Sequence, residues 1–170
     1  YCAGAGGKSL AMSAAMENTG QIQAFDAEKQ RLAPIFERLK RAGCRNVQAV
    51  ADQEALATHE GRLDLVVVDA PCTGAGTWRR RPDAKWRLGE KQLEQRQAEQ
   101  AEILRRAARF VRSGGRLAYI TCSVFAEEND DQVRAFLEAN PDFRPVDHEA
   151  LWERHFSGRA AKARIDRTTG

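Results

Sequence analysis

Cys72 and Cys122 offer the most chemistry in this 170-residue chain. The first stands in Asp69-Ala70-Pro71-Cys72-Thr73-Gly74-Ala75-Gly76 and the second in Thr121-Cys122-Ser123, each following an apolar run. A thiolate attacks soft, electron-poor carbon, and its pKa, about 8.5 when free, falls beside a helix N-terminus or a cation. Asp69 adds a carboxylate next to the first thiol, and Asp26 and Asp52 close two further strand-like runs. Taken singly, each acid reads as a helix cap or turn residue. A lone cysteine reads as a small buried hydrophobe, the interpretation preferred for Cys2 and Cys44. Repetition at the ends of successive runs favours a shared site instead. The four cysteines form no Cys-x-x-Cys pair, and His59, His148 and His155 lack ligand spacing, so neither a metal site nor a disulfide framework is expected.

Alternating strands and helices must position those groups. Leu63 to Val68 is a continuous aliphatic run between Gly61 and Pro71, the pattern of a strand buried on both faces of a parallel sheet. Gln21 to Phe25, Asn46 to Val50 and Arg116 to Thr121 are further strand candidates, and Phe143 to Val146 starts another. Helical periodicity covers Lys8 to Met16, Glu28 to Ala42 with a kink or late start at Pro34, Glu90 to Val111, and Glu127 to Ala139. A long loop is expected after Val68, and a short irregular or helical piece before His59. The alternation predicts an α/β fold with a mostly parallel sheet, right-handed crossovers and helices on both faces. Ligands of such sheets sit beyond the carboxyl ends of the strands, where Asp26, Asp52, Asp69, Cys72 and Cys122 all fall.

The chain opens on Tyr1-Cys2-Ala3-Gly4-Ala5-Gly6-Gly7-Lys8-Ser9, a glycine turn of the kind that follows a strand. Backbone amides at such a turn approach an anion or a cofactor carboxylate closely. Three ligands stay open on spacing alone. A P-loop needs a glycine where Cys2 stands, and a dinucleotide turn needs one at Ser9. S-adenosylmethionine needs an acid on its ribose hydroxyls, and Asp26 falls about 20 residues on, where that acid is expected. With no strand before the turn and a polar, basic 157–170, the expectation is one catalytic domain over 1–170, truncated at both ends, with its first strand missing and 157–170 flexible.

A composition of 42% hydrophobic and 30% charged residues excludes disordered and fibrous classes. No apolar run approaches the roughly 20 residues of a membrane span, and no leader is visible, so a cytoplasmic protein is expected. A net charge of +3, from 27 basic against 24 acidic residues, does not by itself specify a nucleic-acid partner. Local clustering says more. Trp78 and Trp86 are interleaved with Arg79, Arg80, Arg81, Lys85 and Arg87, which offers phosphate neutralisation together with base stacking. The plainer reading is a solvated basic loop, with Lys85 pairing to an acid.

Together, Asp69-Ala-Pro-Cys72-Thr-Gly-Ala-Gly76, the segment Arg79 to Arg87, and Thr121-Cys122-Ser123 with Glu128-Asn129 resemble the RNA (cytosine-5) methyltransferases of the Nop/Sun group. The likeness is strongest to the bacterial small-subunit ribosomal RNA methyltransferase B type, and it runs in order to the region of Asp147. It implies a Rossmann-like S-adenosylmethionine-dependent methyltransferase fold. It also implies that Cys2, Ala3, Gly4, Ala5, Gly6, Gly7 and Lys8 form the cofactor turn, with Asp26 on the ribose hydroxyls, Asp52 by the adenine and Asp69 between cofactor and base. Cys122 would be the nucleophile, and Cys72 would assist product release. Ala5 stands where the family commonly has proline, which loosens the turn.

The implied substrate is a cytosine in ribosomal RNA, or in transfer RNA, taken out of its stack to reach the pocket. Carbon 5 of cytosine is a poor nucleophile until a thiolate adds at carbon 6, after which it takes a methyl group. Loss of the carbon 5 proton then expels the thiolate. Asp69 is assigned to the pyrimidine edge, and Arg79, Arg80, Arg81, Lys85, Trp86 and Arg87 to RNA. A monomer without metal or membrane attachment is expected. The competing functions are a P-loop-like ATPase, a catalytically silent RNA-binding module of the same fold, and a dehydrogenase.

Overall fold

The aliphatic runs form parallel strand pairs. β1 (Ile22–Phe25) pairs in parallel with β2 (Val47–Val50), from Ile22 opposite Val47 to Phe25 opposite Val50. β3 (Leu63–Asp69) pairs in parallel with β4 (Val111–Ile120), ending with Asp69 opposite Ile120. The computed structural model describes residues 1–156, so the expectation of a flexible 157–170 lies outside the described residues. The Tyr1 nitrogen donates to the Val67 carbonyl at 2.7 Å, Asp69 N–H to the Tyr1 carbonyl at 3.2 Å, and Ala3 N–H to the Phe25 carbonyl at 2.8 Å. The backbone of Tyr1 to Ala3 thus runs between β1 and β3 and bonds to both.

Side chains alternate across a strand, and neighbouring residues of β1 accordingly join different cores. Ala24 packs in a cluster with Leu32, Ile35 and Leu39, supplied by α2 (Lys29–Leu32) and α3 (Ile35–Arg41), with Leu10 of α1 (Gly7–Ala15) against it. Phe25 joins Val50, Val66, Val68, Ala107 and Phe110, with Leu56 from a 3-10 turn, Glu54–His59, and Ala107 from α5 (Glu90–Ala108). Helices therefore cover both faces, as the alternation of elements predicts.

Several boundaries differ from the sequence expectation. The helix expected over Glu28 to Ala42 is split at Pro34, whose ring cannot donate the helical N–H bond. α5 stops at Ala108 rather than Val111, because Val111 already pairs with Leu63 in the sheet. The strand expected over Arg116 to Thr121 starts earlier, at Val111, with Ser113-Gly114-Gly115 as an irregularity inside β4: the register jumps from Leu63 opposite Val111 to Leu65 opposite Arg116. The long loop after β3 contains a 3-10 turn, Ala75–Thr77, and α4 (Pro82–Arg87), which starts with proline at a position where the missing N–H is not needed. The helix expected from Glu127 begins as a 3-10 turn, Ala126–Glu128, and continues as α6 (Asp130–Ala139). No strand forms over 143–146; α7 (His148–Phe156) follows.

The chain divides into two compact units, Tyr1–Pro71 with Glu102–Ile120, and Cys72–Ala101 with the described residues from Thr121 onward. No helix among the described residues is long and apolar enough to cross a membrane.

Candidate active site

In the first unit the glycine turn is held from three sides. Gly4 N–H donates to Asp26 Oδ2 at 2.8 Å, and Asp26 Oδ1 accepts from Glu28 N–H at 3.0 Å, so this buried carboxylate ties the turn to the end of β1. Arg38 of α3 donates to the Ala5 carbonyl at 2.7 Å. Gly6 has φ +78°, and a Cβ there would stand 2.4 Å from Ile35 Cγ1, so glycine is required. Gly4 and Gly7 have no heavy atom within 4 Å of where a Cβ would lie. The turn thus offers open space beside backbone N–H groups at the start of α1, a fit for the carboxylate end of an amino-acid cofactor. Lys8 Nζ lies 2.6 Å from Asp69 Oδ2, both side chains about half exposed. Asp52 is exposed and accepts from Glu54 N–H at 2.9 Å. Cys2 is half-buried at φ +60°, and Cys44 packs against the Ile35 cluster, the apolar role expected for it.

In the second unit the two thiols meet. Cys72 Sγ and Cys122 Sγ are 3.3 Å apart, and Cys122 N–H lies 3.4 Å from Cys72 Sγ. Both are free; Cys72 is half-buried and Cys122 exposed. Burial, and then the hydrogen bond with Cys122, push the Cys72 thiol up to about 11. The thiols sit on separate loops joined in two ways. Gly76 N–H donates to the Cys122 carbonyl at 3.0 Å, and a Cβ on Gly76 would stand 2.9 Å from that oxygen. Glu128, fully buried, accepts from Thr73 N–H at 2.8 Å, from Thr73 Oγ1 at 2.5 Å and from Gln100 Nε2 at 2.9 Å. Its neighbour Asn129 accepts from Thr121 Oγ1 at 2.6 Å and donates to the Ser123 and Phe125 carbonyls at 3.2 and 2.9 Å.

Arg79, Arg80, Arg81, Lys85, Trp86 and Arg87 are all exposed, Trp86 by 83%. Lys85 pairs with no acid among the described residues: its Nζ stands 5.7 Å from the centres of both the Trp78 and Trp86 rings, a cation between two π faces. Trp78 packs edge-on against Phe125 with ring centres 5.7 Å apart. A groove of about 370 Å³ runs from Cys72 past Arg81 and Arg87 to Gln92 and Arg96. A basic channel that ends at a thiol suits a polyanion bearing one reacting base.

Sequence reasoning found both thiols but passed over what holds them. Thr73 and Glu128 were visible only as motif neighbours, and Gln100 reads as an ordinary helix residue until its burial is known. Arg96 could have been found from its four-residue spacing to Gln92 on α5. Among the described residues no cluster of three or more histidine, cysteine or acidic side chains could hold a metal ion.

A family model described as 16S rRNA methyltransferase RsmB/F matches residues 1–163. Ribosomal RNA small subunit methyltransferase B of Citrobacter koseri is 38% identical over 144 residues, 83% of this chain and 33% of that protein. The probable ribosomal RNA small subunit methyltransferase B of Bacillus subtilis is 37% identical over 155 residues, 85% of this chain and 33% of that protein. The chain thus spans about a third of the length of these relatives. Among solved structures, PH0851 matches with a TM-score of 0.78 and 38% identity, covering 85% of this chain and 34% of that one. NSun6 from Pyrococcus horikoshii with SFG matches with a TM-score of 0.67 and 32% identity, covering 80% and 35%. With the parallel strand pairs and two covered faces, these likenesses make the fold Rossmann-like, of the methyltransferase kind.

Proposed function

The chain belongs to the 16S rRNA methyltransferase RsmB/F family, and from that premise we propose that it methylates carbon 5 of a cytosine in ribosomal RNA through a covalent bond to Cys122. The observation that carries this reading is the pair of free thiols 3.3 Å apart, one from each of two motif loops. A silent binding module has no use for such a pair.

S-adenosylmethionine, when bound, supplies an electrophilic methyl group; SFG, held by the Pyrococcus NSun6, is its analogue. The turn from Cys2 to Lys8, with open space beside Gly4 and Gly7, is assigned to its amino-acid end, while Asp26 and Asp52 are assigned to ribose and adenine. Asp69 is assigned to the pyrimidine edge, with Lys8 holding its carboxylate. Arg79, Arg80, Arg81, Lys85, Trp86 and Arg87 are assigned to RNA phosphates and bases, with Arg96 added from the groove.

Cys122 acts as the thiolate. Its sulfur bonds carbon 6, the electron pair of the carbon 5–carbon 6 double bond moves to carbon 5, which becomes enamine-like through carbon 4, and that pair takes the methyl group. Cys72 enters as a neutral thiol, because burial and its hydrogen bond to Cys122 hold its proton on. Once the Cys122 sulfur is bonded to carbon, that hydrogen bond and the charge behind it are gone, and Cys72 ionises more easily, giving its proton to solvent. Its thiolate takes the carbon 5 proton, the double bond re-forms, and Cys122 departs as a thiolate, so charge and protons balance.

The test mixes the full-length gene product with S-adenosylmethionine and RNA lacking the modification, and resolves protein-bound RNA on a denaturing gel. An adduct that accumulates in Cys72→Ala and is absent in Cys122→Ala is expected. Folded, cofactor-binding protein that forms no adduct in any variant removes the thiolate mechanism.

A further inference from the structure

Two thiols on separate loops have no covalent reason to stay 3.3 Å apart, and the groups around them hold one unexplained feature. Glu128 is a fully buried carboxylate that accepts from Thr73 N–H, Thr73 Oγ1 and Gln100 Nε2, donors from the Cys72–Ala101 stretch. Thr73 directly follows Cys72, whereas Glu128 lies six residues after Cys122 on the other loop. Burying a carboxylate costs several kcal/mol unless it is well bonded, and a neutral side chain would fill the same place more cheaply. The charge is explained if its role is to grip two donors on one residue, with a strength that neutral acceptors do not match.

The adjacent Asn129 does the same for the other loop, taking the Thr121 hydroxyl and donating to the carbonyls on both sides of Val124. One dipeptide therefore grips both thiol loops, Glu128 the Cys72 side and Asn129 the Cys122 side. We propose that Glu128 is a positioning residue that sets the distance between the two reacting sulfurs through its clamp on Thr73. The proposal rests on the thiolate reading above for its effect on turnover, though not for its effect on geometry. Attack by Cys122 needs no help from this clamp; release by Cys72 does, because the proton is transferred only within contact distance. Loss of the clamp slows release while leaving attack nearly intact.

Two readouts on the full-length protein test this in Glu128→Gln and Thr73→Val, the second removing one clamp donor while sparing the buried carboxylate. The first uses phenylarsine oxide, whose arsenic(III) bridges two close thiols with loss of one water, scored by intact mass against a Cys72→Ala control. It needs neither RNA nor cofactor. The second is the covalent RNA adduct, with the rates of its appearance and decay. Bridging is expected to fall at least about fivefold in Glu128→Gln and less in Thr73→Val, and adduct decay to slow about tenfold or more while adduct appearance changes little. A merely structural loss would lower appearance and decay together. Bridging and decay both at wild-type levels in these variants overturn the proposal. Weakened bridging in an enzyme that forms no adduct even as Cys72→Ala leaves the clamp standing and removes the thiolate reading instead. If Glu128→Gln fails to fold, Thr73→Val alone decides on the same criteria.

Discussion

Each unit is stabilised internally in its own way. The first contains both large apolar clusters and nearly every buried hydrophobe, from Ile22 to Phe110. In the second, Ala75 is the one buried apolar residue among those described, and the fully buried side chains are Gln100 and Glu128. Their functional groups differ accordingly. The proposed cofactor turn presents backbone shaped by packing, whereas the proposed catalytic thiols are side chains on loops joined by hydrogen bonds. Apolar packing is tolerant of chemistry and sensitive to volume; a hydrogen-bonded cluster is the reverse.

The strongest test of this contrast is Cys122→Ala, which should abolish the adduct and lower turnover at least about 10⁴-fold. It should leave cofactor affinity, measured by calorimetry, unchanged, because no packed volume of the first unit is lost. The opposite case is Ile35→Ala. Ile35 is fully buried and fills the space under Gly6, so truncation should cost about 3 kcal/mol of stability, read in a denaturant melt, and weaken the cofactor. Equal losses of cofactor binding in both variants would break the comparison.

The third test concerns charge. The Cys72 thiol, at about 11, should react with iodoacetamide slowly at neutral pH, with a rate rising as pH approaches that value. Replacing Cys122 by alanine removes two of the causes that raise it, so the rise should move to lower pH, toward the ordinary 9.0. An unmoved profile would mean that burial alone sets the value. The smallest effect is expected at Trp86, where replacement by alanine should weaken RNA binding by about tenfold, the loss of one stacked base, without altering the melt.

The first unit was the more legible in the sequence, and the reason is physical. Paired strands leave largely aliphatic runs such as Leu63 to Val68, of which the structure buries Val66 and Val68 and leaves Leu65 half exposed, and a turn that demands positive φ leaves glycines such as Gly4 and Gly6. The thiols were legible because reactive residue types are scarce. What lay hidden was the polar scaffold: Gln100 and Glu128 have side chains that usually face water, and only the fold reveals that they do not. The placement of Lys85 was hidden too, since Trp86 adjoins it in sequence but Trp78, seven residues earlier, comes to the same ammonium group only through the fold. The expected strand over 143–146 was a local pattern with no neighbour to pair with, and the end of α5 was misplaced because Val111 is claimed by the sheet.

Trp78 and Trp86 have unlike surroundings although both face the same ammonium group. The Trp78 indole N–H is shielded from solvent against Phe125, whereas Trp86 stands 83% in water. Their emission should differ in colour, with Trp86 contributing the red edge of the spectrum. Anything that covers that ring should change the red edge first, so the protein carries its own optical indicator of what approaches the Arg79 to Arg87 segment.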